Sequence, residues 1–112
     1  MKVILAAAVL ALVLAAPATS ATALTGTVGP GFNISLTAGG KKVTKLKAGT
    51  YTIVVSDKSN IHDFHLTGPG VNKTTSVGGT GSQTWKIKLK AGKYHYQCDP
   101  HASFMKGDFT VS

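Results

Sequence analysis

The sequence predicts an all-β domain, a Greek-key β-sandwich or barrel of about seven to eight strands. Three observations carry this. Several runs alternate apolar with polar residues, the period of a strand with one buried face. The 13 glycines of the 112-residue chain fall largely between those runs, in clusters such as Gly29-Pro30-Gly31, Gly68-Pro69-Gly70 and Gly78-Gly79-Thr80-Gly81. After Ala23 no segment sustains an apolar stripe at helical spacing.

The N-terminal segment stands apart. Lys2 precedes an unbroken apolar run over residues 3–16, which Pro17 ends. Ala21-Thr22-Ala23 then fits a small-x-small processing site. The run has 14 residues, short of the roughly 20 that a helix needs to cross a bilayer. We read residues 1–23 as a secretory signal peptide and residues 24–112 as one exported domain, periplasmic or extracellular, with no membrane span in the mature chain.

The mature elements follow in order. Residues 24–28 form a first strand, closed by Gly29-Pro30-Gly31. Phe32, Ile34 and Leu36 share one face of a half-buried strand. Residues 38–42 turn the chain, and Val43 and Leu46 point inward from an irregular segment. Tyr51, Ile53 and Val55 mark a strand, and residues 57–60 a polar loop. A short strand is predicted over 61–66 and a weak one over 74–77. Trp85, Ile87 and Leu89 alternate with Lys86, Lys88 and Lys90, the clearest strand of all: apolar side to the core, ammonium groups to water. Tyr94, Tyr96 and Cys98 share a face of the next strand, opposite His95 and Gln97. Phe109 and Val111 belong to a closing strand. The stretch Lys45-Leu46-Lys47-Ala48-Gly49-Thr50-Tyr51-Thr52 is echoed by Lys88-Leu89-Lys90-Ala91-Gly92-Lys93-Tyr94-His95. We read this as one turn used twice: a Leu anchor, a Gly turn, then an inward Tyr.

Formal charge is +8, all the basic residues are lysine, and there is no arginine. Nucleic-acid readers use arginine and interleaved aromatics, so a nucleic-acid partner is not expected. The lysines read as a solvated face with a bias toward acidic partners or anionic surfaces. One cysteine allows no internal disulfide.

That cysteine lies in Tyr94-His95-Tyr96-Gln97-Cys98-Asp99-Pro100-His101-Ala102-Ser103-Phe104-Met105. Cys98, His101 and Met105 are spaced C-x2-H-x3-M, and Met105 is the only methionine besides the initiator. A thiolate, an imidazole and a thioether on one loop suit copper cycling between Cu(I) and Cu(II). The missing imidazole is available in Asn60-Ile61-His62-Asp63-Phe64-His65.

Through these two motifs the mature chain resembles the cupredoxins, the small blue-copper proteins of the plastocyanin, pseudoazurin and amicyanin kind. The resemblance implies one type 1 copper ion, with His62, Cys98 and His101 in a near-trigonal plane and Met105 as a weak axial ligand. It favours His62 over His65, because Asp63 stands where the family's first ligand is followed by an Asn. That Asn ties the two ligand-bearing segments, and Asp63 departs from it. The implied function is one-electron transfer between redox protein partners, acidic ones favoured by the lysines, by a monomer that is not an enzyme. A copper delivery or storage protein is the alternative; its sites are expected to be open and rich in Met and His, unlike this Cys-based set.

Overall fold

The computed structural model describes residues 21–112. Most of the expected signal peptide, residues 1–20, lies outside them.

The described chain folds into ten strands in two five-stranded sheets. The first sheet contains β1 (Thr22–Val28), β2 (Ile34–Ala38), β3 (Lys41–Lys42), β5 (Gly49–Asp57) and β8 (Gly81–Leu89), in the order β3-β2-β1-β5-β8. The second contains β4 (Lys45–Leu46), β6 (His65–Gly68), β7 (Val71–Thr74), β9 (Gly92–Gln97) and β10 (Lys106–Val111), in the order β4-β10-β9-β6-β7. The all-β sandwich is therefore as expected. The count exceeds seven to eight because β3 and β4 are two-residue pairings that sequence period cannot reveal.

The strict alternations do what their period dictates. Leu24, Leu36, Ile53, Val55 and Leu89 bury their side chains from the first sheet; Leu66, Tyr94, Tyr96 and Phe109 meet them from the second. Burial of this apolar surface is the main favourable term, at roughly 25 cal/mol per Å2.

Both copies of the repeated turn end in a buried tyrosine that hydrogen-bonds back four residues. Tyr51 Oη donates to the Lys47 carbonyl at 2.5 Å and Tyr94 Oη to the Lys90 carbonyl at 2.8 Å. Each is a tyrosine corner that satisfies a buried hydroxyl and pins a strand start.

Glycine is required where those rings lie flat. Gly68 faces the Tyr94 ring across β6 and β9, and Gly107 faces Tyr96 across β10 and β9. A methyl group at either position would occupy the ring's space.

Three expectations are corrected. The strand expected over 61–66 begins only at His65, and Ile61 is 48% exposed. His62, Asp63 and Phe64 are buried in succession, which a half-exposed strand does not permit. The weak strand expected over 74–77 is instead Val71–Thr74, paired with β6. Phe32 precedes β2 and is 62% exposed, so it does not belong to the buried face of that strand.

Strand direction gives the sandwich two distinct ends. β1 and β5 run parallel toward Val28 and Asp57, and β9 runs to Gln97 beside His65. That end carries the loops after β1, β5 and β9. β1 itself begins at Thr22, whose register partner is Tyr51, so Thr22 and Ala23 belong to the sheet.

Candidate metal centre

At the loop-bearing end, side chains from two distant segments meet. Cys98 Sγ lies 3.6 Å from His62 Nδ1 and 3.5 Å from His101 Nδ1, and the two Nδ1 atoms are 3.1 Å apart. The circumcentre of such a triangle lies about 2.0 Å from all three atoms, the length of a metal–imidazole bond. One thiolate and two imidazoles around that point form the donor set that suits copper in both oxidation states. The residues present therefore fit the metal that the sequence pointed to.

Cys98 comes at the end of β9, where alternation with Tyr94 and Tyr96 turns it inward, and it is fully buried. A 3-10 turn, Asp99–His101, then brings the chain round, with Pro100 in its first turn. The loop closes on itself. The His101 N–H donates to the Cys98 carbonyl at 3.0 Å, and the Met105 N–H to the His101 carbonyl at 2.9 Å. The Cys98 N–H donates to the Met105 carbonyl at 3.0 Å. Cys98, His101 and Met105 are thereby locked as one unit, with Met105 buried.

His62 has no strand to hold it. Its loop is fixed by polar groups that the sequence left as surface. Asp57 is buried; Oδ1 accepts from the Ser59 N–H at 3.1 Å and Oδ2 from Thr75 Oγ1 at 3.4 Å. Thr75 Oγ1 in turn accepts from the Phe64 N–H at 2.9 Å. Phe64 then stacks on Tyr96, rings 5.5 Å apart and 8° from parallel. The only signal for these roles was a Ser and Thr scatter common to any loop.

Asp63 makes the tie for which the resemblance implied an Asn. It is 2% exposed, and Oδ1 accepts the Asp99 N–H at 2.6 Å while Oδ2 accepts from Thr74 Oγ1 at 3.3 Å. The tie needs only an acceptor, so a carboxylate suffices. Burial raises the Asp63 pKa, against the lowering effect of the Asp99 backbone bond. Burial also pushes the Cys98 thiol up, opposed by backbone hydrogen bonds from Asp63 and His101. A bound metal reverses that balance, since a coordinating thiol is deprotonated outright.

The other two histidines lie outside the triangle. His65 sits between two acceptors, Nδ1 at 2.9 Å from the Asp99 carboxylate and Nε2 at 2.6 Å from Asn72 Oδ1. Desolvation lowers its pKa, but the Asn72 bond and the Asp99 charge outweigh this and raise it. His95 pairs with Asp108 at 2.7 Å and with Gln97 at 3.0 Å.

Over the triangle lies an aromatic lid of Phe32, which sequence period misplaced, and Phe104. The Phe32 ring meets His62 edge-on at 5.3 Å and His101 at 5.0 Å, and Phe104 lies 5.7 Å from His101. Phe32 and Phe104 are 62% and 59% exposed, while His101 is half-buried. One imidazole therefore lies near the surface within an apolar rim.

Comparison with known proteins agrees. A family model described as copper binding proteins, plastocyanin/azurin family, matches residues 14–112. No curated protein sequence matches the chain. Among solved structures, rusticyanin from Thiobacillus ferrooxidans is similar with a TM-score of 0.56 and 23% identity, over 83% of this chain and 79% of that one. Reduced rusticyanin gives 0.58 and 21%, over 83% and 81%. Dithionite-reduced auracyanin from the photosynthetic bacterium Roseiflexus castenholzii gives 0.56 and 21%, over 83% and 98%. At such identities the likeness speaks for the fold, whereas the family match covers nearly the whole chain. The chain belongs to the plastocyanin/azurin family of copper-binding proteins, the cupredoxins, and its cofactor is one type 1 copper ion.

Proposed function

We propose that the chain is an exported one-electron carrier, working as a monomer between redox protein partners in the periplasm or outside the cell. The residues that would hold copper are His62 through Nδ1, Cys98 through Sγ, His101 through Nδ1 and Met105 through its thioether. The observation that carries this reading is the triangle of Sγ and two Nδ1 atoms with sides of 3.1 to 3.6 Å. Copper supplies a Cu(I)/Cu(II) couple, and the chain's task is to keep the ligands still while the charge changes.

The structure supports that task in three ways. Cys98, His101 and Met105 are tied by three backbone hydrogen bonds within one loop. Asp63 ties the His62 segment to Asp99. Phe64, Tyr96 and Phe109 form a continuous aromatic support beneath. Little can reorganise, which favours fast outer-sphere transfer. His101, within the rim of Phe32, Pro100 and Phe104, is the exit for the electron. A small apolar rim suits brief docking, because weak redox encounters use small interfaces. Lys58 and Lys106 lie at this end together with Asp57, Asp63 and Asp99, so the pull of the lysines on an acidic partner comes from the molecule's net charge and not from a basic docking face. Two solved neighbours are described as reduced forms, in keeping with a redox role.

The reading is tested by the visible spectrum with one equivalent of Cu(II), for the native chain and Cys98→Ala. We expect an intense blue band that a mild reductant bleaches reversibly, absent from Cys98→Ala. Weak colour indifferent to Cys98→Ala would overturn it and bring forward copper delivery through histidines alone.

A further inference from the structure

The ligand loop is also tied on the outer side of the second sheet. Along β9, Tyr94 and Tyr96 face the core, so His95 and Gln97 face out. On β6, Leu66 is buried, so His65 faces out beside Gln97, its register partner. Side chains here form an unbroken row of hydrogen bonds. Asp108 on β10 meets His95 at 2.7 Å, His95 meets Gln97 at 3.0 Å, and Gln97 Nε2 donates to Asp99 Oδ1 at 2.9 Å. His65 Nδ1 lies 2.9 Å from both carboxylate oxygens of Asp99, and His65 Nε2 lies 2.6 Å from Asn72 Oδ1 on β7. The row crosses four strands, and the one member that belongs to none of them is Asp99.

Asp99 links this row to the metal centre. It follows Cys98 directly and opens the 3-10 turn that delivers His101. Its backbone N–H is held by Asp63, next to His62. Each of the two ligand-bearing segments therefore carries a carboxylate, and like charges side by side oppose each other. His65 supplies the opposite charge. An ionised carboxylate only accepts, so Asp99 needs an N–H at Nδ1, and Asn72 presents its oxygen to Nε2. A ring with an acceptor at each nitrogen is satisfied as imidazolium, in which both nitrogens donate. The raised His65 pKa is in keeping with this. The charged groups facing His65 are Asp99 and Asp63, both negative. Asn72, Thr74 and Gln97 are neutral, and Lys106 lies one strand further, across Gln97. The His65 and Asp99 side chains are 22% and 43% exposed, so screening makes their pair a weak source of stability. Position and charge are what it contributes.

We propose that His65 is a positioning residue of the copper centre: it anchors the Asp99 carboxylate to β6 and β7, and so holds the loop of Cys98 and His101 while setting a positive charge against the negative one beside the metal. The inference deepens the function proposed above and rests on the ligand set given there. His65 makes no hydrogen bond to a candidate ligand and acts through Asp99. Gln97 cannot replace it. Gln97 is neutral and belongs to β9, the strand that runs into the loop, so it ties Asp99 only to its own segment. The charge acts on the couple in one direction. A cation near the metal favours Cu(I), so His65 raises the reduction potential while it is protonated.

The test uses the copper-loaded chain, native and carrying His65→Ala, His65→Asn or His95→Gln. Two quantities are read. One is the rate at which excess chelator removes the copper, followed by loss of the blue band. The other is the reduction potential, from about pH 5 to above the range in which a histidine titrates. We expect His65→Ala to release copper roughly tenfold faster, as when a metal site loses an outer hydrogen-bonding partner. Asparagine carries an amide N–H near the place of Nδ1, so His65→Asn is expected to recover slow release but not the charge. Both variants are expected to have a lower potential than the native chain at low pH, with the gap closing as His65 deprotonates. His95→Gln, in the same row but away from Asp99, is expected to change neither quantity. A purely structural loss would speed release without a pH-dependent gap. Native release rates in His65→Ala would overturn the anchoring, and a gap in potential that is absent or indifferent to pH would overturn the charge. A native chain without the blue band would sink the ligand set and this inference with it. A blue native chain indifferent to His65→Ala sinks this inference alone.

Discussion

Asp63 shows how one side chain can be both structural and electronic. It sits next to the candidate ligand His62 and accepts the backbone N–H of Asp99, the neighbour of the candidate ligand Cys98. Asp63→Asn keeps an oxygen for that N–H but removes a negative charge beside the metal. A nearby negative charge favours Cu(II), so its removal is expected to raise the reduction potential with the blue band retained. Asp63→Ala leaves the Asp99 N–H without this acceptor, and a loss of about 1–3 kcal/mol in unfolding free energy is expected. Potentiometric titration of the first and urea unfolding of the second check the two roles separately. At this scale His62, Cys98, His101 and Met105 were legible as candidates because Cys and Met are scarce in the chain, and the structure brings the first three together. Asp63 was legible as a position but not as an acceptor, since that depends on where the Asp99 N–H points. Asp57 and Thr75 were not legible, because what buries them is the path of a loop.

Among the elements, period predicts strands well wherever one face is dry. The runs at Tyr51, Ile53, Val55 and at Trp85, Ile87, Leu89 became β5 and β8 with the expected sides buried. It fails over 61–64, where side-chain hydrogen bonds from Asp57 and Thr75 replace a ladder and bury three residues in a row. The repeated turn was legible as a pattern, but its hydrogen bonds were not. Tyr51→Phe and Tyr94→Phe each remove one buried bond, and each is expected to cost about 1 kcal/mol. Gly68→Ala puts a methyl group into the Tyr94 ring and is expected to cost about 1–3 kcal/mol by overpacking. Urea unfolding with an unchanged m value would check all three. Since Tyr94 stacks on Phe109 rather than on the ligand loops, the blue band should survive in each. Loss of the band in Tyr94→Phe would mean that the far turn and the metal site are coupled.

For the whole molecule, the question is whether the metal organises the fold or the fold organises the metal. The core between the sheets is apolar and continuous, and of the candidate ligands only Cys98 and Met105 are part of it. The ligand segments are closed by their own hydrogen bonds, and Asp63 links them directly. The apoprotein is therefore expected to be folded, with the donor triangle already assembled. Copper then adds stability by mass action, about 4 kcal/mol at a thousandfold excess over its dissociation constant. That gain has a predictable location. Local opening of the loops at 59–64 and 98–106 releases the metal, while opening at the opposite end of the sandwich does not. Amide hydrogen exchange of the apo and copper-loaded chains should differ in those two loops and in β6. The amides of β4 and of the paired ends of β5 and β8 should exchange alike in both. Slowing at that far end as well would mean that ligation tightens both sheets together, and the site would then be part of the folding core rather than a structure built upon it.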